Sequence, residues 1–294
     1  NIKKYYFFDL IIQRLLKYKK YKKIFVTNTL YPYKEYKFNI LDLIKFQFYI
    51  KILYKIYNMI YNFISINNDY FFICNENNFN KQSNYFYINS LVYNDYLQFI
   101  NKKKNLVTQN YYVFIDQMYV DHPDWIISKK NYKINPEEYY KKINLFFNKI
   151  KLKLNVKIVI ALHPRRNKKI NELLNYDQVS NKTVDLISNC LGVFTHDSTS
   201  IQYAVLFNKP VFFIINKNIL NSKRIINIQY ISDLLNSDII NIENENEINK
   251  IEKNIIINKK LYLNFVNTYI KSTNALNINS WEYIISELNK INNK

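Results

Sequence analysis

The chain of 294 residues contains a single glycine, Gly192. A typical sequence of this length would carry about twenty, at roughly 7%. Dinucleotide fingerprints and Walker A loops need several glycines at fixed spacing, because the backbone must approach phosphate closely. Both are excluded here. Any phosphate must be held by hydroxyls, imidazole, guanidinium groups or a helix terminus. Alanine is almost as scarce (Ala161, Ala204, Ala275), while Asn, Ile, Lys and Tyr abound. The skew touches core, surface and loops alike, so it reads as nucleotide bias in an AT-rich genome.

The bias does not prevent folding. Hydrophobic residues make up 48% and aromatics 17%, enough for sizeable cores and too much for a disordered chain. The length predicts two domains. Cys74 and Cys190 form no disulfide framework or metal-ligand spacing, and read as buried thiols in a reducing, cytoplasmic setting. The net charge of +19 admits nucleic acid, an anionic membrane or anionic small molecules as partners, although lysine-rich codon usage explains much of it. No zinc-finger spacing or RRM signature appears, so nucleic acid is not expected. The most apolar stretch, residues 40–66, is interrupted by Lys45, Lys51 and Lys55. It reads as an amphipathic helical region that could contact an anionic inner membrane peripherally, not as a spanning helix. No secretory leader is read. The first unit begins at Asn1 and is expected to be open to truncation.

Residues 1–105 read as an α/β domain of Rossmann type. Strands are expected at Ile24–Thr29, Tyr70–Cys74 and Tyr85–Ile88, and helical patterns near 5–20, 39–66 and 92–101. The polar stretch Asn101–Asn110 marks the boundary. Residues 106–275 read as a second α/β domain. Tyr111–Ile115, Val156–Leu162, Gly192–Thr195 and Pro210–Ile215 are continuous apolar runs, as expected of strands buried on both faces of a parallel sheet. Asn135-Pro136-Glu137-Glu138 reads as a capped helix start, with acids in the first turn. Further helices are expected near 167–176, 184–189 and 200–208. A strand followed by a helix is expected within Ile239–Ile256. Residues 276–294 read as a terminal amphipathic helix.

Each strand of the second domain runs into a polar cluster, and parallel sheets bind ligands at that carboxyl edge. The clusters contain all three histidines of the chain: His122, His163 and His196. His163-Pro164-Arg165-Arg166 holds two of the four arginines, which suit phosphate or carboxylate. The plain alternative is a solvated basic turn. His196-Asp197-Ser198-Thr199-Ser200 precedes a helix, so its hydroxyls either cap that helix or help an anion site at its N-terminus. Asp116 is a candidate general base, a role for which Asp121 and Asp124 compete, and Gln117, Asp121 and His122 are secondary site candidates. Gly192 is expected to allow a tight turn from the preceding helix.

Together V-F-I-D-Q (113–117), the strand ending in H-P-R (163–165), and G-V-F-T-H-D-S-T-S with a helix and K-P-V-F-F-I (192–214) resemble the C-terminal half of bacterial GT-B glycosyltransferases. The resemblance is to sialyltransferase-like and CMP-Kdo transferases of surface polysaccharide assembly. It covers residues 111–215. It implies two Rossmann-like domains facing a cleft, residues 1–105 binding the acceptor and residues 106–275 the nucleotide sugar, with a C-terminal helix crossing back to the first. It also implies inverting, metal-independent transfer of a sialic-acid-like sugar from a CMP donor to a lipooligosaccharide or capsule glycan, with no cofactor. His163, Arg165, His196, Ser198, Thr199 and Ser200 would contact the donor phosphate or CMP. Asp116 and His163 would be catalytic. The acidic glycine-containing motif of several such families is missing, so Asp116 is an assignment without a motif match. Three other readings stay open: a CDP-polyol phosphotransferase of teichoic-acid type, a nucleotide-sugar epimerase, and a non-catalytic basic module for polyanions.

Overall fold

The computed structural model describes residues 24–26, 32, 70–74, 85–102, 109–120, 134–253 and 256–292. The helical patterns expected near 5–20 and 39–66, the domain boundary at 103–108, and Asp121, His122 and Asp124 lie outside the described residues.

Three short parallel strands come first: β1 (Ile24–Val26), β2 (Tyr70–Ile73) and β3 (Tyr85–Tyr87), in the order β1-β2-β3. Helix α1 (Leu91–Lys102) leads to a six-stranded parallel sheet. Its elements are β4 (Tyr111–Ile115), α2 (Pro136–Leu154), β5 (Lys157–Leu162), β6 (Asp177–Ser180), α3 (Thr183–Asn189), β7 (Gly192–Thr195), α4 (Ile201–Leu206), β8 (Val211–Ile215), α5 (Lys217–Leu220), α6 (Arg224–Leu235) and β9 (Ile239–Asn241). Then follow α7 (Asn249–Lys253), α8 (Lys259–Phe265), which continues as a π-helical turn to Ile270, and α9 (Ser280–Asn292).

The sheet order β6-β5-β4-β7-β8-β9 is that of a doubly wound fold. From β4 the chain winds outward through β5 and β6, then returns to β7 and winds the other way. The switch point lies between β4 and β7. β4, β7 and β8 are buried along their whole length, which explains their unbroken apolar runs. Helix α2 buries Ile143, Phe146, Phe147 and Ile150 at helical spacing. Phe147 meets Phe114 of β4 and Phe194 of β7, with ring centroids 5.2 and 6.0 Å apart. The α2 start is as expected: Asn135 Oδ1 accepts from the Glu137 and Glu138 amides, and Pro136 opens the first turn.

The terminal helix crosses back to the first sheet. Ile284 of α9 is buried with Phe72 of β2 and Ile88. Ser280 at the start of α9 donates to the Asn89 carbonyl, and Asn94 Oδ1 accepts from the Ser280 amide.

Two expectations need correction. The helix expected near 167–176 is instead a turn and a short 3-10 segment, Asn171–Leu173, followed by β6. β6 (DQVS) pairs only with β5, and an edge strand facing water shows no apolar run. Helix α6 lies in a stretch for which the sequence reading named no element. It buries Ile228, Ile231 and Leu235 against the sheet. Gly192 opens β7 but has no positive φ, so it is not needed there for a left-handed turn. A Cβ there would lie 2.9 Å from Tyr112 Cε1 and 3.1 Å from the Pro210 carbonyl, so packing demands the glycine.

Candidate active site

All six strands run parallel, so their carboxyl ends share one edge. β4 delivers Asp116 and Gln117 there, β5 delivers His163, β7 delivers His196, and β8 delivers Asn216. Helices α2 and α6 start at the same edge, bringing Tyr139, Tyr140 and Arg224.

Asp116 is buried, with a side-chain exposure of 2%. Arg166 reaches it with Nε at 2.6 Å and Nη2 at 3.2 Å. The Met118 amide donates to Oδ1 at 2.9 Å and the His163 amide to Oδ2 at 3.3 Å. Four donors fill the four acceptor positions of a carboxylate. The expected base facing a cleft therefore meets another geometry: this carboxylate binds the β4 and β5 ends together and aims Arg166. Arg166 also donates to the Tyr140 hydroxyl at 2.8 Å, and its guanidinium carbon lies 5.8 Å from that ring's centroid. Met118 has a φ of 50°, a costly left-handed turn for an unbranched side chain, and the Asp116 carboxylate holds its amide.

His163 is half-buried, and its Nδ1 accepts from the Arg165 amide at 3.2 Å. In the neutral ring, the proton then sits on Nε2. Arg165 itself is exposed.

Gln117 closes the switch point. Its Oε1 accepts from the His196 amide at 2.9 Å, the Asp197 amide at 3.1 Å and the Thr195 hydroxyl at 3.3 Å. Its Nε2 donates to Asp197 Oδ1 at 2.8 Å. One side chain thus ties β4 to the turn after β7. Arg224 reaches the same Asp197 oxygen at 3.4 Å and lies 5.0 Å above the Tyr119 ring.

His196 is 1% exposed. Nδ1 lies 2.6 Å from the Ile214 carbonyl, which can only accept, so Nδ1 carries the proton. Nε2 then accepts from the Tyr139 hydroxyl. Burial pushes the Tyr139 phenol well above its ordinary value, which keeps it a donor. Burial also pushes His196 down to about 4, so the ring is neutral near pH 7. Both ring nitrogens are engaged inside the protein. The expected phosphate contact is replaced by a neutral link between β7, β8 and α2.

Ser198, Thr199 and Ser200 form the turn into α4. Ser198 Oγ accepts from the Ser200 amide at 3.2 Å, while Ser200 makes no side-chain cap. The Ile201, Gln202 and Tyr203 amides bond back to the carbonyls of residues 198–200. The first helical N–H groups are thereby used within the turn, which shifts any anion contact to the turn itself. Among the described residues no group of three or more His, Cys, Asp or Glu side chains could hold a metal ion.

The structure thus gathers Asp116, Gln117, His163 and His196 at one edge. Sequence reasoning missed Tyr119, Tyr139, Tyr140 and Arg224 there. The signal was available: a helix that follows a parallel strand starts at that strand's carboxyl edge, so its first turn belongs to the site.

No family model matches the chain, and no curated protein matches it. Solved structures do. The UDP-GlcNAc 2-epimerase of Methanocaldococcus jannaschii superposes with a TM-score of 0.51 at 14% identity, covering 96% of this chain and 74% of that one. The same enzyme in complex with UDP-GlcNAc and UDP gives 0.42 at 14%, covering 88% and 78%. S. aureus MnaA with UDP gives 0.44 at 12%, covering 96% and 70%. The first of these likenesses is one of fold: the chain has the GT-B-like α/β architecture.

Proposed function

We propose that the chain is an enzyme acting on a nucleotide sugar at the carboxyl edge of its six-stranded sheet. The observation that carries this reading is the pair of arginines at that edge. Arg166 and Arg224 are each fixed by a carboxylate and stacked near a tyrosine, on either side of the switch point. Such pre-set guanidiniums, with His163 on the adjacent strand end, suit a phosphate without a glycine loop. The fold likeness to an epimerase of a nucleotide sugar supports the same substrate class.

Within that class we assign glycosyl transfer from a CMP-activated, sialic-acid-like donor to a surface glycan acceptor. This assignment rests on the resemblance of residues 111–215. The leaving CMP carries its charge on one phosphate. His163 Nε2–H would donate to that phosphate, Arg165 would add charge, and the Ser198–Ser200 turn would contribute hydroxyls. An oxocarbenium-like transition state needs this leaving-group stabilisation more than it needs a strong nucleophile. Asp116 acts by positioning Arg166 and the β5 turn. For the acceptor's proton the sequence offers Asp121 and Asp124, which lie outside the described residues.

Epimerisation is the second reading, favoured by the fold likeness. The two separate in one assay. The chain is incubated with CMP-sialic acid, a CDP-polyol or UDP-GlcNAc, with and without glycan acceptor. Acceptor-dependent release of CMP from the first supports sialyl transfer, and the same from CDP-polyol moves the reading to polyol-phosphate transfer. Conversion of UDP-GlcNAc to its 2-epimer without acceptor overturns both.

A further inference from the structure

A cavity of about 430 Å³ opens between α1, α4 and α8, away from the candidate active site. Helix α4 leaves β7 at the carboxyl edge and ends near Pro210, where β8 begins. Its last residues therefore lie toward the sheet's opposite edge. Tyr93, Tyr96, Val205 and Leu206 form aromatic and aliphatic walls, and Lys259 and Lys271 line the same space. Lys271 Nζ lies 5.6 Å from the Tyr93 ring centroid, so the cation stands directly over the apolar wall. Lys259 is exposed.

The surroundings indicate what this space contacts. Leu263 lines the cavity yet is 59% exposed. Tyr93 also donates to Asn277 Oδ1 at 3.1 Å, which places the 276–278 loop beside the cavity wall. In that loop Leu276 is 57% and Ile278 40% exposed. A soluble ligand enclosed in the cavity would leave these apolar side chains in water. A bilayer surface would cover them while a lipid chain entered the cavity and the lysines met its phosphate. Exposed apolar side chains beside Lys259 and Lys271 are complementary to an anionic bilayer surface. No helix among the described residues is long and apolar enough to cross a membrane.

We propose that this cavity and its rim dock the protein on anionic phospholipid, an acyl chain entering between Tyr96 and Leu263 and Lys259 and Lys271 binding the headgroup phosphate. The proposal does not depend on which nucleotide sugar is used. The test is co-sedimentation of the full chain with vesicles of phosphatidylcholine alone or mixed with phosphatidylglycerol. Binding is expected only to the mixed vesicles, and it should weaken as salt rises. Lys259→Gln with Lys271→Gln should weaken partitioning on the order of thirtyfold, at about fivefold per lysine. Leu263→Asn keeps the charge and should also reduce binding, with thermal unfolding unchanged. Three results would overturn the proposal: no binding to the mixed vesicles; binding indifferent to the lysine substitutions, as when residues 40–66 make the contact; or binding indifferent to Leu263→Asn, which would mean charge adsorption without insertion.

Discussion

At the residue scale, the shortage of glycine is met by asparagine. Helices commonly end on a left-handed residue, a role glycine usually fills. Here Asn155 and Asn236 cap α2 and α6 at φ near 50°, and Asn208 does the same after α4. The Lys209 and Ser237 amides bond back to the Ala204 and Ser232 carbonyls, closing the Schellman pattern around Asn208 and Asn236. Asparagine tolerates this conformation better than other L-residues but at some cost. Asn155→Gly should therefore stabilise the protein by about 1 kcal/mol, read from the urea midpoint. A loss of stability would show that the Asn155 side chain contributes more than its backbone angle costs. Gly192 responds in the opposite sense. Its added methyl would press on Tyr112 and the Pro210 backbone. Gly192→Ala should cost about 1–3 kcal/mol in the same measurement. Composition alone could not separate these roles, because asparagine is common everywhere in the chain.

At the element scale, the site is a set of strand ends joined by side chains. Replacing Asp116 by Asn leaves Arg166 buried at 9% exposure without its counter-charge. Removing one partner of such a pair costs about 3–5 kcal/mol. Asp116→Asn should lower thermal stability accordingly and weaken nucleotide binding with it; a variant of unchanged stability would remove the assigned positioning role. His196 gives a pH signature. Its folded-state value is depressed to about 4 from 6.5. Between these values the unfolded chain binds the extra proton, so stability rises with pH across that window. The contribution is complete above about 6.5, is lost as pH falls towards 4, and amounts to roughly 3 kcal/mol. Denaturant curves at pH 7.5, 5.5 and 4.5 should show a steeper acid loss for the native chain than for His196→Gln. Parallel slopes would contradict the assignment. The strands of this site were legible because burial on both faces writes a continuous apolar run, as in Tyr111–Ile115 and Val211–Ile215. Their polar ends named Asp116, Gln117, His163 and His196. Neither ion-pair saturation of Asp116 nor the Tyr139–His196 bond was legible. Both depend on which side chains α2 and the β5 turn bring across the edge. β6 and α6 escaped for other reasons: one is a polar edge strand, and the other lies among asparagines that mask its core-facing isoleucines.

At the scale of the whole molecule, two parallel sheets are linked by α1 and by a terminal helix that returns to the first of them. The fold likeness does not choose between the two proposed reactions, transfer and epimerisation. On the proposed reading side chains hold the phosphate, with His163 of the β5 turn as a donor. The central claim is tested by titrating CMP, UDP and GDP into the native chain and into His163→Ala by calorimetry. The account predicts that CMP alone binds measurably, and that His163→Ala weakens it at least about tenfold, or 1.4 kcal/mol, with the unfolding temperature unchanged. Preferential binding of UDP, or CMP binding indifferent to His163→Ala, would contradict it.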